Sequence, residues 1–292
     1  MEEWIKVVIL GIVEGLTEFL PVSSTGHLIV VGNFLQLRES LNGVFEIFIQ
    51  IGAVVAVIVY YWPDLWRQAR TITRDSSVQQ LWLGIFVAFV PAAVIGLLFD
   101  DMIEELLFRP EVVALALIVG GIMFIVIEQW IMPRQVAKRA VAGASSEGTV
   151  AGDTAAERTD DLKSVTLRQS LMIGLWQLLA LIPGMSRSGM SIIGGMLSGL
   201  SREVATQFSF YLALPTLGAA TIYTLLRSLD EISGNDLGLL ILGAVISGIV
   251  AGASIAWLLR YVARNNFIPF GIYRILVGIV ILVLVAMNSG VQ

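Results

Sequence analysis

The chain has 292 residues, 57% hydrophobic and only 14% charged, with a mean hydropathy of +0.84; this excludes an ordinary water-facing globular surface and makes the bilayer the solvent to reason with. No cysteine is present, which excludes disulfides, thiolate metal sites and a cysteine nucleophile. A net charge of -5, spread in short pieces between apolar stretches, leaves no basic face for nucleic acid.

The N-terminus, Met1 to Lys6, is acidic where a secretory leader would be basic, and the apolar stretch behind it carries Glu14 and Glu18; it is expected to stay on the mature protein. That stretch, residues 4–36, is broken midway by Pro21-Val22-Ser23-Ser24-Thr25-Gly26. Non-helical backbone at membrane depth is tolerated only where protein or a wet cavity satisfies it, so the region reads as a re-entrant helix pair. Stretches 44–62, 81–99 and 111–131 are each long enough to cross ~30 Å of hydrocarbon. Residues 132–168 follow, rich in small and charged residues between Pro133 and Ser164, and are expected to form a flexible cytoplasmic loop without chemistry. A second interrupted region, 169–200, is broken at Pro183-Gly184-Met185-Ser186-Arg187-Ser188-Gly189 and predicts a second re-entrant pair; crossings at 203–226, 237–259 and 270–287 complete six.

Lys and Arg favour cytoplasmic loops, and here they crowd into 63–80, 132–168 and the positions Arg202, Arg260 and Arg264. Asp100, Asp101, Glu104, Glu105, Asp230, Glu231 and Asp236 fall on the other side, with both termini. A shift of 163 residues aligns Gly11 with Gly174, Glu14 with Gln177, Ser23 with Ser186, Thr25 with Ser188, Gly26 with Gly189, Gly32 with Gly195 and Phe45 with Phe208. Each half then holds one re-entrant pair and three crossings, an odd number. The expected fold is an all-α polytopic membrane protein built as an inverted-topology repeat, residues 1–131 and 169–292, with the two breaks facing each other near the midplane.

Glu14 and Glu18 are four apart on one helix face, and two carboxylates at membrane depth need a cation. A divalent metal with oxygen ligands, Mg²⁺ or Ca²⁺, suits carboxylates plus phosphate oxygens; a shallow helix with both acids in water is the alternative. Ser23, Ser24, Thr25, Gly26 and His27, the only histidine, bring hydroxyls, an imidazole and a helix N-terminus suited to anions. An N-cap turn with a structural histidine would look similar. Arg187, set between hydrophobic helices beside Ser186 and Ser188, needs an anion: a phosphate held bidentately, or Glu14 or Glu18. Glu46 and Gln50, four apart, and Ser191 are secondary candidates, with snorkelling equally able to explain Glu46.

The run from Glu14 to His27 resembles the first signature of the undecaprenyl-diphosphatase family, the bacitracin-resistance phosphatases, and Pro183 to Gly189 resembles the second. The likeness covers nearly the whole chain except 133–164; Ser191 stands where the family commonly has Thr, which keeps a hydroxyl. The resemblance implies hydrolysis of undecaprenyl pyrophosphate to undecaprenyl phosphate and inorganic phosphate in the bacterial inner membrane, recycling the lipid carrier of peptidoglycan synthesis. It also implies divalent-metal dependence, bacitracin resistance, and catalytic roles for Glu14, Glu18, Ser24, His27 and Arg187. A mechanism that follows has Ser24 attack the terminal phosphorus while His27 or Glu18 takes its proton, with His27 as nucleophile the variant. Interrupted helices in inverted repeats also suit a transporter or flippase of a lipid phosphate or anion. Homodimer formation is a further expectation that the residues leave open.

Overall fold

The computed structural model describes residues 1–35, 44–131, 161–228 and 236–289, and the regular elements among them are helices. Helix α1 (Glu3–Thr17) is apolar apart from the Glu3–Lys6 pair at its start and Glu14 and Thr17 near its end, and stops at Glu18, where the chain turns. Pro21 has no N–H to continue a helix, and Ser23 adopts φ 71, a left-handed conformation costly for a residue with a Cβ. Helix α2 (Ser24–Leu35) starts directly after it and packs back on α1.

Helix α3 (Val44–Tyr60) meets α4 (Trp62–Thr71) at 68°. Pro63 opens α4, where its missing N–H costs nothing, and α4 exposes Trp62, Trp66 and the Asp64–Arg67 ion pair. Asp75 then caps α5 (Ser76–Leu107), accepting from the N–H of Ser77 at 3.0 Å and of Val78 at 3.4 Å. The Ser77 hydroxyl chiefly, with Lys163 Nζ at 3.3 Å, holds the Asp75 carboxyl down at about 2. Helix α6 (Pro110–Val126) runs into a π-helical turn, Ile127–Ile131. The buried Glu128 in that turn accepts from Arg202 at 2.8 and 2.5 Å and from the Phe267 N–H at 3.1 Å, tying three elements together.

Most of the stretch expected to be a flexible loop, residues 132–160, lies outside the described residues, as do Arg38, Asp230 and Glu231. Its end is structured: a 3₁₀ turn spans Leu162–Ser164, Val165 is buried with its carbonyl accepting from Gln80 at 3.1 Å, and Thr166 forms a capping box with Gln169. Helix α7 (Leu167–Gln177) passes through a 3₁₀ turn (Leu178–Leu181) into a second break, and α8 (Arg187–Leu197) follows. Helices α9 (Arg202–Arg227), α10 (Leu237–Val262) and α11 (Ile268–Ser289) finish the chain. Among the described residues five helices are long and apolar enough to cross a membrane, and α3 with α4 makes a sixth if the bent pair is one span. The protein is thus a multi-pass, all-α membrane protein.

The element order of the two parts is compatible with a duplicated, inverted arrangement. α1, α2, α3, α5 and α6 recur as α7, α8, α9, α10 and α11. Exchanging the two sets turns the packing of α1 on α10 into that of α7 on α5, and leaves the pairs α3–α9 and α6–α11 unchanged. Ser23 and Ser186, aligned by the 163-residue shift, are the only non-glycine residues with positive φ among the described ones, at 71 and 70. Gly11 and Gly174, also aligned, sit where a Cβ would come within 2.9 Å of the Gly243 carbonyl and 2.5 Å of the Ala88 carbonyl; close helix approach requires glycine at both.

Candidate active site

The two breaks meet. A polar cavity of about 150 Å³ is lined by Glu18, Ser23, Ser24 and Thr25 from the first and by Pro183, Gly184, Ser186 and Arg187 from the second, with Gln50 and Leu217 closing the side. The first residues of both α2 and α8 therefore line the cavity. First-turn N–H groups have no partner within their own helix, so two helix N-termini offer donors and positive dipole ends there.

Glu18 is the hub. Its Oε2 accepts from the Ser24 hydroxyl at 2.6 Å and its Oε1 from Arg187 Nη2 at 3.4 Å, so one carboxylate joins a hydroxyl of the first turn to the guanidinium of the second. Arg187 is positioned from behind. Its Nη1 donates to the Ser209 carbonyl at 3.0 Å, while its Nε is buried with no hydrogen-bond partner, a donor left for a further acceptor. Ser191 donates to the Arg187 carbonyl at 2.9 Å and lies 2.7 Å from the Ser209 hydroxyl, which fixes the start of α8 against α9. Glu14, one turn before Glu18, is buried, and its Oε2 has no hydrogen-bond partner.

The remaining candidates are placed differently. His27 lies outside the cavity lining: Nδ1 is 2.7 Å from the Ser23 carbonyl and Nε2 2.7 Å from the Tyr273 hydroxyl, with the two rings stacked. A carbonyl only accepts, so Nδ1 carries a proton and the neutral ring accepts from Tyr273 at Nε2. Ser186 caps α8 through the Gly189 N–H at 3.1 Å, and the fully buried Ser188 donates to the Leu20 carbonyl at 3.0 Å, fastening the second turn to the first. Gly26 packs toward Leu117 and lies outside the cavity lining, as do Ser188 and Ser191. Glu46 is exposed, whereas Gln50 lines the cavity and accepts from Thr221 at 3.1 Å.

Sequence reasoning missed Arg274. It is wholly buried on α11 and pairs with no carboxylate among the described residues. Nη1 donates to the Pro21 carbonyl at 3.2 Å and Nη2 to the Gly184 and Met185 carbonyls, both at 3.0 Å; Leu117 and Ala116 carbonyls lie 3.4 Å from Nε and Nη2. One guanidinium thus satisfies the carbonyls that both breaks leave without helical partners. The signal was available: a single arginine inside the otherwise uncharged stretch 270–287.

A family model described as Bacitracin resistance protein BacA matches residues 7–280. A protein named undecaprenyl-diphosphatase from Deinococcus deserti is 45% identical over 289 residues, covering 97% of this chain and 96% of its own length. Proteins of the same name from a Polaromonas species, 46% identical over 278 residues (95% and 94% covered), and a Thermoanaerobacter species, 43% identical over 286 residues (98% of both), show the same end-to-end similarity.

Proposed function

The chain belongs to the family of the bacitracin resistance protein BacA, and on that basis we propose how its site performs the hydrolysis of undecaprenyl pyrophosphate to undecaprenyl phosphate and inorganic phosphate in the bacterial inner membrane. The observation that carries the proposal is the Ser24–Glu18–Arg187 chain, which puts a hydroxyl, its proton acceptor and a cation on one small polar cavity between apolar helices.

Ser24 Oγ attacks the terminal phosphorus and Glu18 takes its proton through the 2.6 Å hydrogen bond. The bond from that phosphorus to the bridging oxygen breaks, and undecaprenyl phosphate leaves with the electron pair. Glu18 passes that proton to the departing phosphate and is a carboxylate again; it then takes a proton from the attacking water, which displaces Ser24 Oγ from phosphorus, and returns it to Ser24 Oγ as inorganic phosphate is released. Arg187, with its free Nε, and the N–H groups opening α2 and α8 hold the phosphate oxygens and stabilise their charge in transfer. His27, bonded between Ser23 and Tyr273, orients the first turn of α2 in this scheme.

The donor set suits a divalent cation. An unpartnered buried carboxylate oxygen on Glu14, one turn from Glu18, calls for positive charge. No cluster of three His, Asp or Glu side chains occurs among the described residues, so substrate oxygens would complete the shell around these two. Glu14 and Glu18 would hold Mg²⁺ or Ca²⁺, which would supply charge neutralisation on the pyrophosphate. The same proposal includes the inverted repeat of residues 1–131 and 169–292, with 132–168 facing the cytoplasm, and a homodimer, which light scattering of the detergent-solubilised protein checks.

The test is phosphate release from detergent-solubilised undecaprenyl pyrophosphate by purified protein, with added Mg²⁺ or Ca²⁺ and with chelator. Cation-dependent release supports the scheme. No release from folded protein under any of these conditions would overturn it and favour lipid or anion transport.

A further inference from the structure

The catalytic cavity, about 150 Å³, accommodates a headgroup and no long hydrocarbon, so a prenyl tail must leave it between helices. Its side wall is Gln50 of α3 and Leu217 of α9, and the two helices are joined there by Thr221 donating to Gln50 at 3.1 Å. One turn further along α3, and one residue on along α9, a second groove begins. It has about 570 Å³ of space and an apolar lining that includes Val54, Ile58, Leu214, Gly218, Ile222 and Trp82. Gln50, Val54 and Ile58 share one face of α3 by their spacing of four, as do Leu214, Leu217, Gly218 and Thr221 on α9. The groove is therefore the apolar continuation of the seam that the cavity opens.

A larger apolar groove, about 680 Å³, runs along the other side of α3 against α10, lined by Gly52, Val55, Gly248 and Gly252 among others. Neither groove shares a lining residue with the cavity, but only the α3–α9 groove lies on the face of α3 that carries Gln50 and on the helix that carries Leu217, so position on that seam separates the two. Gly218 adds a second distinction: a Cβ there would meet nothing within 4 Å, and the position stands in the interior of α9, where glycine is a poorer helix former than alanine. The empty space beside it faces the groove.

We propose that the α3–α9 groove holds the isoprenyl units nearest the pyrophosphate, and that Gly218 sets its bore. Gln50 and Thr221 mark the boundary between the polar cavity and the tail. This rests on the phosphatase reading above. The experiment compares kcat/KM on undecaprenyl pyrophosphate and on isopentenyl pyrophosphate, whose single five-carbon unit stays at the Gln50–Thr221 boundary, for wild type, Gly218→Leu and Gly252→Leu, the last adding the same bulk to the other groove, where a Cβ also meets nothing. Gly218→Leu is expected to lower the long-to-short preference about tenfold or more, chiefly through KM, the size of discrimination that added bulk gives in an apolar pocket. Gly252→Leu is expected to keep the wild-type preference. Ile222→Trp, at a lining position on the lipid side of α9, repeats the effect should Gly218→Leu fold poorly. An unchanged preference in both α9 variants, or a change confined to Gly252→Leu, overturns the groove assignment. Wild type that releases phosphate from neither substrate overturns the phosphatase reading itself.

Discussion

Residues 21–27 and 183–190 follow the same path: a proline, then a serine held at φ 71 or 70, then a helix whose first residue lines the cavity. Their chemistry differs. After the strained serine the first turn has Ser24 and the second Arg187; the acids Glu14 and Glu18 of α1 are answered by Gln177 and Leu181 before α8. Gln177 is as buried as Glu14, with both amide atoms unpartnered, and carries no charge. The backbone, including its strain, is what the two turns share, so the geometry of two opposed helix N-termini is the common requirement. In the proposed scheme nucleophile and base fall to one turn and the anion-holding cation to the other, an asymmetric chemistry on two turns of the same backbone path.

The sharpest way to break this comparison is Glu18→Gln, which keeps shape and removes the proposed base; kcat is expected to fall by about 10²–10⁴ in the phosphate-release assay with the thermal unfolding midpoint nearly unchanged. Activity near wild type would return both turns to equal standing. Arg187→Lys retains a charge and loses the planar fork and Nε, and is expected to cost about 10²-fold in kcat/KM, less than Arg187→Ala at about 10³-fold. Arg274→Met tests what the turns have in common. It strips the Pro21, Gly184 and Met185 carbonyls of their donor at once, with an expected loss of about 3 kcal/mol and matched gains in hydrogen exchange at both turns. Exchange rising in one turn alone would contradict the shared clamp.

Smaller effects sharpen the parallel. Ser23→Gly relieves a positive φ and is expected to stabilise by about 1 kcal/mol, whereas Ser186→Gly relieves the same strain but loses the cap on the Gly189 N–H and is expected to gain less; paired thermal melts compare them. The smallest effect belongs to Asp75, outside both turns. Its carboxyl is held at about 2 against an ordinary 3.8, so its contribution is present in full above pH 3.8 and fades as pH falls toward 2. Asp75→Asn is expected to lower the unfolding midpoint slightly at neutral pH, and the gap to wild type should close near pH 2.

Much of this was legible from residues alone. The interrupted regions and crossings follow from apolar length and proline position, and the cavity gathers Glu18, Ser23, Ser24, Thr25, Ser186 and Arg187 from both motifs. Where α3 ends was harder to see, because Tyr61, Trp62 and Pro63 continue an apolar run while the chain bends 68°. Side-chain direction lay further out of reach. Spacing put His27 beside Ser24, yet its ring bonds Tyr273, 246 residues away, and Ser188 turned out to fasten the turns together while lying outside the cavity lining. Arg274 and Ser209 contribute through carbonyls, as donor and acceptor respectively, and main-chain carbonyls leave no mark in a residue pattern.

The most direct test of the Ser24–Glu18 assignment is to quench the reaction with labelled substrate during turnover and locate the phosphate on the protein by mass spectrometry. The account predicts phosphoserine at Ser24, absent from Ser24→Ala and much reduced in Glu18→Gln. Phosphate on His27, with Ser24→Ala still forming it, would contradict the account.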